Sequence, residues 1–183
     1  GVVEMPKEKV DLAGVLSQVC EGMQFKADKY GDKIALRVRA RAQVFANGDQ
    51  LREVFINIID NAVKYTPPGG QVLVEGSESD GFVKIRVLDT GCGIPYEDLD
   101  HVKDKFFKSN KTVRGSGIGL AVADEIVKLH GGLLFIDSQE GAGTAVTILF
   151  PAKAKSEEDV LDAAAEKLEN RESEPDAGTG QES

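Results

Sequence analysis

Residues 51–70, with the sequence LREVFINIIDNAVKYTPPGG, constrain the fold of this chain more than any other stretch. Plotted at about 100° per residue, the apolar residues fall on one side of a helix and the polar residues form a narrow stripe on the other. The apolar side comprises Leu51, Val54, Phe55, Ile58, Ile59 and Ala62, and the polar stripe comprises Glu53, Asn57, Asp60, Asn61 and Lys64. The run TPPGG then ends the helix. The segment therefore predicts an amphipathic helix packed against a core.

The polar stripe is unusual for a helix that serves only packing and solubility. Asn and Asp are weak helix formers, because their side chains compete for the hydrogen-bonding groups of the backbone. Asn57 and Asn61 lie one helical turn apart, and they indicate a face that donates and accepts hydrogen bonds with a specific partner. On this segment alone, an ordinary solvated amphipathic helix is the alternative.

The rest of the chain alternates helices with short strands. Apolar spacing predicts helices at residues 11–28 and 118–130. Alternation predicts strands at residues 34–40, 43–46, 71–75, 82–88, 133–137 and 144–150. The last four strands form two hairpins, around SESDG and SQEGAG. Antiparallel hairpins with helices on one face predict an α+β fold, a two-layer α/β sandwich with a mixed, mainly antiparallel sheet. A doubly wound parallel sheet is disfavoured, because tight turns join consecutive strands.

Composition excludes several classes of protein. The net charge of −9 is concentrated in residues 156–183, which hold ten acidic and two basic residues, so the other 155 residues are nearly neutral. A nearly neutral domain has no basic patch that would indicate nucleic-acid binding. No apolar run approaches the roughly 20 residues of a membrane span, and the N-terminus lacks signal-peptide features. Cys20 and Cys92 lie far apart in the sequence, and we interpret them as reduced thiols of a cytoplasmic protein.

Two glycine-rich segments complete the pattern. DTGCGIP, residues 89–95, follows a predicted strand, and RGSGIGLAVADEIVKLHGG runs from a loop into a predicted helix. Gly115, Gly117 and Gly119 allow backbone N–H groups to approach an anion where that helix presents its unpaired donors. The segment is not a P-loop, because it lacks the Lys-Ser/Thr ending, and it does not match the dinucleotide fingerprint. Taken alone, such a short glycine run is a weak signal, and a tight turn is the alternative.

Together these segments resemble the catalytic, ATP-binding domain of sensor histidine kinases, in the superfamily shared with gyrase, heat-shock chaperone and mismatch-repair ATPases. NIIDNAVKYTPPGG resembles the N box of that family, DTGCGIP its first glycine box, and GSGIGLAVADEIVKLHGG its second. KFFKS is similar to the phenylalanine box, and GAGTAVTILFP to the closing strand. The agreement covers about residues 11–151, and the Lys64-Tyr65 pair favours the kinases over the other branches. The resemblance implies the histidine-kinase ATPase fold.

The same resemblance implies a Mg²⁺-ATP site on the polar stripe. Asn57 and Asn61 then direct amide oxygens toward Mg²⁺ and the phosphates, with Asn57 as the metal ligand. Lys64 supplies a positive charge for a phosphate, and Tyr65 supplies a hydroxyl group and a flat apolar face. Asp89 accepts a hydrogen bond from the adenine amino group. The further nucleotide contacts that the motifs imply are Gly91, Gly93, Ile94, Gly115, Gly117, Ile118, Gly119 and Leu120.

Two acidic residues of the stripe keep alternative roles. Glu53 resembles the general base of the hydrolytic branches, although a structural or solvating role competes with it. Asp60 either orients a metal-bound water or is simply exposed. In the region between the glycine boxes, Phe106 and Phe107 anchor a mobile lid or serve as ordinary core aromatics. The basic residues of that lid either reach the terminal phosphate or are solvated: Lys108, Lys111 and Arg114.

The chain lacks the histidine that sensor kinases phosphorylate. His101 and His130 do not lie in a His-Glu-rich helix, and the end of a helix favours His130 for structural reasons. We therefore expect a linker at residues 1–10, a catalytic domain at 11–153 and an acidic, largely disordered tail at 154–183. The expected partners are the dimerisation and phosphoacceptor domain of a parent kinase and, through it, a response regulator. An anti-sigma-type protein-serine kinase and a non-catalytic nucleotide-sensing module are the alternatives.

Overall fold

The computed structural model describes residues 6–39, 42–104, 107 and 118–152. The helices and strands in chain order are β1 (Glu8–Asp11), α1 (Leu12–Tyr30), β2 (Lys33–Val38), β3 (Gln43–Ala46), α2 (Gly48–Tyr65), β4 (Gln71–Ser79), β5 (Phe82–Asp89), α3 (Gly119–Leu129), β6 (Leu133–Gln139) and β7 (Gly143–Pro151). A single 3-10 turn, Tyr96–Asp98, precedes α3 among these residues. The acidic tail predicted at 154–183 lies outside the described residues.

Five strands form the main sheet, in the order β2-β4-β5-β7-β6. β2 runs parallel to β4, and every other pair in this sheet is antiparallel. A separate two-stranded sheet pairs β1 with β3. Among the described residues, α2 packs against both α1 and α3. The helices also contact the main sheet, α1 at β2, α2 at β4 and β5, and α3 at β6. The predicted two-layer sandwich with a mixed, mainly antiparallel sheet is confirmed.

The core lies between α2 and the sheet face that it covers. Along β5 and β7, alternate residues are buried, as expected for strands with one face against helices. All six apolar positions predicted for α2 are at most 5% exposed. Burial of apolar surface contributes about 25 cal/mol per Å², so this continuous seam orients α2 on the sheet. The opposite side of α2 is thereby left for polar side chains.

Local hydrogen bonds determine where α2 begins and ends. Asn47 caps the helix, because its side-chain oxygen accepts a hydrogen bond from the Gln50 N–H at 3.0 Å. At the other end, Thr66 leaves the helical conformation, and its hydroxyl donates to the Ala62 carbonyl at 2.7 Å. Pro67 and Pro68 follow directly and cannot continue a helix. The predicted stop at TPPGG is confirmed.

The first hairpin differs from the sequence prediction. The prediction ends the first strand at residue 75 and assigns SESDG to the turn, whereas β4 continues to Ser79. Only Asp80 and Gly81 form the turn, with φ values of 53° and 80°. Two consecutive residues with positive φ are typical of a type I′ turn, whose twist matches that of the strands. The assignment of the whole SESDG run to the turn is therefore wrong, because backbone pairing continues through its polar residues.

The stretch predicted as a linker, residues 1–10, contains most of β1. Val10 of this strand is 7% exposed, and it pairs with Val44 of β3. The strand leads directly into α1, for which Asp11 occupies the N-cap position. None of the helices in the described residues is both long enough and apolar enough to cross a bilayer.

Candidate functional site

The polar stripe of α2 faces the N-terminal end of α3. A Cβ atom built on Gly119, the first residue of α3, would lie 3.3 Å from the side-chain oxygen of Asn57. Asn57 and Asn61 are both partly exposed, and neither amide has a hydrogen-bond partner within the described parts of the chain. The motifs predicted as N box and second glycine box therefore meet, and glycine allows the close approach.

Asp89 ends β5, and its carboxylate is held by two backbone groups. Its Oδ1 accepts hydrogen bonds from the Gly91 N–H at 2.9 Å and from the Thr144 N–H at 3.2 Å. Burial raises the pKa of Asp89, while these two hydrogen bonds lower it by less, so the pKa lies above its ordinary value. The carboxylate is thus fixed in a partly dehydrated position.

The turn after Asp89 leaves no room for side chains at two of its positions. A Cβ on Gly91 would lie 2.5 Å from the Tyr65 carbonyl oxygen and 2.7 Å from Asp89 Oδ1. Gly93 has a φ of +70°, and a Cβ there would lie 2.1 Å from the carbonyl oxygen of Gln139. Only glycine fits both positions, so the turn is packed closely against α2 and against the hairpin of β6 and β7.

Further hydrogen bonds attach this turn on both sides. The Cys92 N–H donates to the Tyr65 carbonyl at 3.2 Å, and the Cys92 carbonyl accepts from Gly141 at 2.7 Å. The Ile94 N–H donates to the hydroxyl of Ser138 at 2.8 Å. Ser138 and Thr144 are site residues that the sequence analysis misses. Thr144 pairs with Asp89 in the β5–β7 register, which no local sequence signal reveals.

Tyr65 lies where α2 meets the glycine turn. Its side chain is partly exposed, and burial raises the pKa of its phenol, with a smaller effect from the neighbouring Cys92. Its backbone carbonyl accepts the hydrogen bond from Cys92 described above. Tyr65 therefore contributes its main chain to the shape of the site as well as its aromatic ring.

Asp60 forms two ion pairs instead of facing solvent. Its Oδ2 lies 2.8 Å from Lys64 Nζ, and its Oδ1 contacts Lys26 Nζ from α1. Burial opposes ionisation of Asp60 most strongly, but the two lysines together outweigh burial and lower the pKa of its carboxyl below the ordinary value. The predicted alternatives for Asp60, a metal-water contact or simple exposure, do not include these pairs. Glu53 is exposed on the same helix.

Both histidines have local structural partners. His130 is 7% exposed, and its Nε2 accepts a hydrogen bond from the Asn47 N–H at 3.2 Å. Its Nδ1 lies 2.8 Å from the Ile126 carbonyl, which accepts a hydrogen bond from this nitrogen when Nε2 serves as the acceptor. His101 is exposed and lies 3.2 Å from the Asp104 carboxylate. His130 thus ties the end of α3 to the start of α2.

Several predicted site residues lie outside the described residues. These are Gly115 and Gly117 of the second glycine box, together with Phe106, Lys108, Lys111 and Arg114. The structure does describe Phe107, which is partly exposed and whose ring centroid lies 5.8 Å from that of His101. Ile118, at the N-cap of α3, and Leu120 are also partly exposed beside the Asn57 contact.

The oxygen donors of the site are compatible with a magnesium nucleotide and not with an all-protein metal cage. Among the described residues, no group of three or more His, Cys, Asp or Glu side chains could hold a metal ion. Mg²⁺ usually keeps several waters and shares its ligands with substrate phosphates, so one or two protein oxygens suffice. The amide oxygen of Asn57, which lies beside the start of α3 and has no hydrogen-bond partner among the described residues, has the chemistry of such a donor.

Comparison with known proteins identifies the family. Residues 46–154, more than half of the chain, match the family described as histidine kinase-, DNA gyrase B-, and HSP90-like ATPase. The chain belongs to this family. Its relatives further define it as a catalytic ATP-binding domain of the histidine-kinase type.

Among curated proteins, the chain is 33% identical over 159 residues to the sensor histidine kinase WalK of Bacillus subtilis. The aligned region covers 84% of this chain and 26% of WalK. The chain is 31% identical over 160 residues to YclK of the same organism, covering 85% of this chain and 34% of YclK. The chain therefore spans about a quarter to a third of the length of these relatives.

Solved structures of histidine kinases are also similar to this chain. The mycobacterial sensor histidine kinase MprB is 32% identical with a TM-score of 0.72, covering 79% of this chain and 97% of that one. Full-length ShkA, solved in complex with AMPPNP, is 30% identical with a TM-score of 0.75, covering 84% of this chain and 33% of ShkA.

Proposed function

We propose that this chain binds Mg²⁺-ATP and transfers the γ-phosphate to a histidine on a phosphoacceptor domain of a parent sensor kinase. The observation that carries the proposal is the meeting of three separate motifs, the stripe of α2, the Asp89 turn and the first residue of α3. The Asn57–Gly119 contact joins the first motif to the third. The Tyr65–Cys92 hydrogen bond joins the first to the second. ShkA, a relative solved with AMPPNP, further supports a nucleotide in such a site.

The base and the phosphates occupy opposite ends of the proposed site. Asp89 accepts a hydrogen bond from the adenine amino group, and Gly91 and Gly93 leave room for the ring. Lys64 attracts a phosphate, because a lysine ammonium acts as a point charge. Tyr65, between these ends, supplies an aromatic face and a hydroxyl group.

Asn57 is the proposed magnesium ligand. Its neutral amide oxygen adds to the ion's waters and phosphate oxygens without the charge of a carboxylate. Asn61, one turn later on α2, faces the same side and contacts the phosphates or a water on the ion. The start of α3, at Gly119, carries the positive end of the helix dipole, which favours the anionic phosphates. Glu53, which is exposed on the same stripe, is the candidate general base. The alternative for Glu53 is a structural or solvating role.

Nucleotide binding is the direct test. The isolated chain should bind Mg²⁺-ATP and Mg²⁺-ADP with micromolar dissociation constants, about −6 to −8 kcal/mol. Isothermal titration calorimetry on folded protein measures this affinity. Absence of adenine-nucleotide binding up to millimolar concentration would reject the proposal. Asn57→Ala should lower the affinity in the presence of Mg²⁺ and have little effect in its absence.

Phosphotransfer is the second test. The chain alone should not label itself from γ-labelled ATP, because His101 and His130 have structural partners and neither lies in a His-Glu-rich sequence. Addition of the parent kinase's phosphoacceptor domain should give acid-labile label on that domain, and a version without the acceptor histidine should give none. Acid-stable label on a serine of a partner would instead indicate the anti-sigma type of kinase.

A cytoplasmic location is proposed because the reaction uses ATP and a response regulator.

A further inference from the structure

The proposed phosphate-binding lysine is held by a carboxylate that it shares with a second lysine. Lys64 lies one turn after Asp60 on α2, and the two form an ion pair of 2.8 Å. Lys26 reaches the same carboxylate from α1, 34 residues earlier in the chain. Each lysine uses a different oxygen of Asp60, Lys26 the Oδ1 and Lys64 the Oδ2. The three side chains thus form a charge-sharing triad across two helices.

The triad is partly protected from water. The exposed fractions of the side chains are 38% for Lys26, 21% for Asp60 and 25% for Lys64. Partly buried charges are screened less by salt than exposed ones, and an uncompensated charge in such a position is unfavourable. Asp60 therefore needs at least one of the two lysines in the folded protein.

A nucleotide phosphate competes with Asp60 for Lys64. In the structure, the Lys64 ammonium is engaged by the carboxylate, so binding a phosphate requires it to weaken or share that contact. If Lys64 were the sole counter-charge, its departure would leave Asp60 uncompensated, and this cost would oppose nucleotide binding. Lys26 removes the cost, because it stays on Oδ1 when Lys64 turns to the ligand.

We propose that Lys26 is a positioning residue for nucleotide binding, which neutralises Asp60 and so makes Lys64 available to a nucleotide phosphate. Lys26 itself does not touch the nucleotide. The inference rests on the proposed function, because it assumes that Lys64 meets a phosphate. Without Lys26, both carboxylate oxygens of Asp60 would be available to Lys64 and would hold it away from the ligand.

The test compares affinities for Mg²⁺-ATP and for adenosine by calorimetry. Lys26→Met should lower the affinity for ATP about fivefold, the equivalent of one partly exposed ion pair. The affinity for adenosine should not change, because it has no phosphate for Lys64 to contact. Lys26→Arg should retain the ATP affinity of the unsubstituted chain. In the Lys26→Met background, Asp60→Asn should recover ATP affinity, since the competing carboxylate is then gone.

Lys29→Met is the matched control. Lys29 is exposed on the same helix and lies over the ring of Phe25, with Nζ 4.8 Å from the ring centroid. Its removal changes the net charge by the same amount, so an effect on ATP of less than about twofold would exclude a long-range field as the cause. Thermal unfolding checks that each variant is folded.

The outcomes separate the two proposals. If the unsubstituted chain does not bind ATP, the proposed function fails and the triad is a structural link between α1 and α2. If the unsubstituted chain binds ATP and Lys64→Ala weakens this binding, but Lys26→Met does not, the role of Lys26 is rejected. An equal loss for ATP and adenosine in Lys26→Met, or no recovery in the double variant, would also overturn it.

Discussion

Replacing Asp89 by Asn separates base recognition from folding. In the structure, Oδ1 of Asp89 accepts two backbone hydrogen bonds, from Gly91 at 2.9 Å and from Thr144 at 3.2 Å. The amide oxygen of Asn can accept both, so the turn should keep its shape. The NH₂ group of Asn then stands where the second carboxylate oxygen was. A donor there opposes the amino group of adenine, which is also a donor.

The expected magnitudes follow from this geometry. A hydrogen bond to a charged group contributes about 1.5–3 kcal/mol, so Asp89→Asn should weaken ATP binding by roughly ten- to a hundredfold. The free energy of unfolding should change by less than about 1 kcal/mol, because the two backbone bonds persist. Burial raises the pKa of Asp89, which means that ionising it in the fold is unfavourable, and the neutral Asn avoids this cost.

Calorimetry with ATP and GTP, together with urea unfolding, measures both effects. The parent should prefer ATP to GTP by about tenfold or more, because the guanine carbonyl would meet the Asp89 carboxylate lone pair to lone pair. Asp89→Asn should narrow that preference. Asp137→Asn removes the same charge from an exposed position on β6 and should leave both affinities unchanged. If Asp89→Asn binds ATP as well as the parent does, Asp89 is only a turn residue and the base lies elsewhere.

Three further experiments test the fold around the site. Burial raises the pKa of Asp32, which is 2% exposed, and the hydrogen bond from the Gly70 N–H lowers it by less. Between the ordinary and the raised pKa, the folded protein holds this proton more tightly than the unfolded chain does, so stability should fall as the pH rises through that window. Asp32→Asn should abolish this slope in urea unfolding, and an unchanged slope would count against the reasoning. Gly93→Ala should cost about 1–3 kcal/mol of stability and abolish ATP binding, because its Cβ would lie 2.1 Å from a β6 carbonyl oxygen, whereas Gly81→Ala, with a φ of +80° but no atom within 4 Å, should keep ATP affinity. Lys103→Met and Asp124→Asn should show a coupling of about 0.5–1 kcal/mol in a double-mutant cycle, because their charged atoms lie 3.3 Å apart; additive effects would contradict it.

The sequence predicts the elements of this fold well where periodicity decides them. The apolar side of α2 is buried as its spacing requires, because a helix repeats every 3.6 residues and one face must meet the core. For the polar run from Ser77 to Ser79, composition gives the wrong prediction. Its composition is typical of a turn, yet pairing with the strand starting at Phe82 holds it in β4. Strand length depends on the partner strand, which local composition does not report.

The contacts that fix the site depend on register and helix packing, which a single sequence does not specify. Thr144 lies opposite Asp89 because β5 and β7 pair in one register, and a shift of one residue would place it on the other face. Lys26 reaches Asp60 because α1 packs beside α2. Neither pairing has a motif, since each joins residues that are distant in the chain. The motifs therefore predict which residues face a ligand, and tertiary packing selects those that hold them in place.

The junction at Lys64 and Tyr65 connects the two ends of the proposed site. Lys64 would meet the phosphates, whereas the backbone carbonyl of Tyr65 accepts the N–H of Cys92 at 3.2 Å, within the turn that presents Asp89. Consecutive residues of one helix move together, and a side chain at Gly91 would collide with the same carbonyl oxygen. The last turn of α2 thus sets the distance between Lys64 and the carboxylate of Asp89. In the proposed site, the base and phosphate contacts would consequently be linked through the last turn of α2, so a ligand of the wrong length would lose one contact when it makes the other.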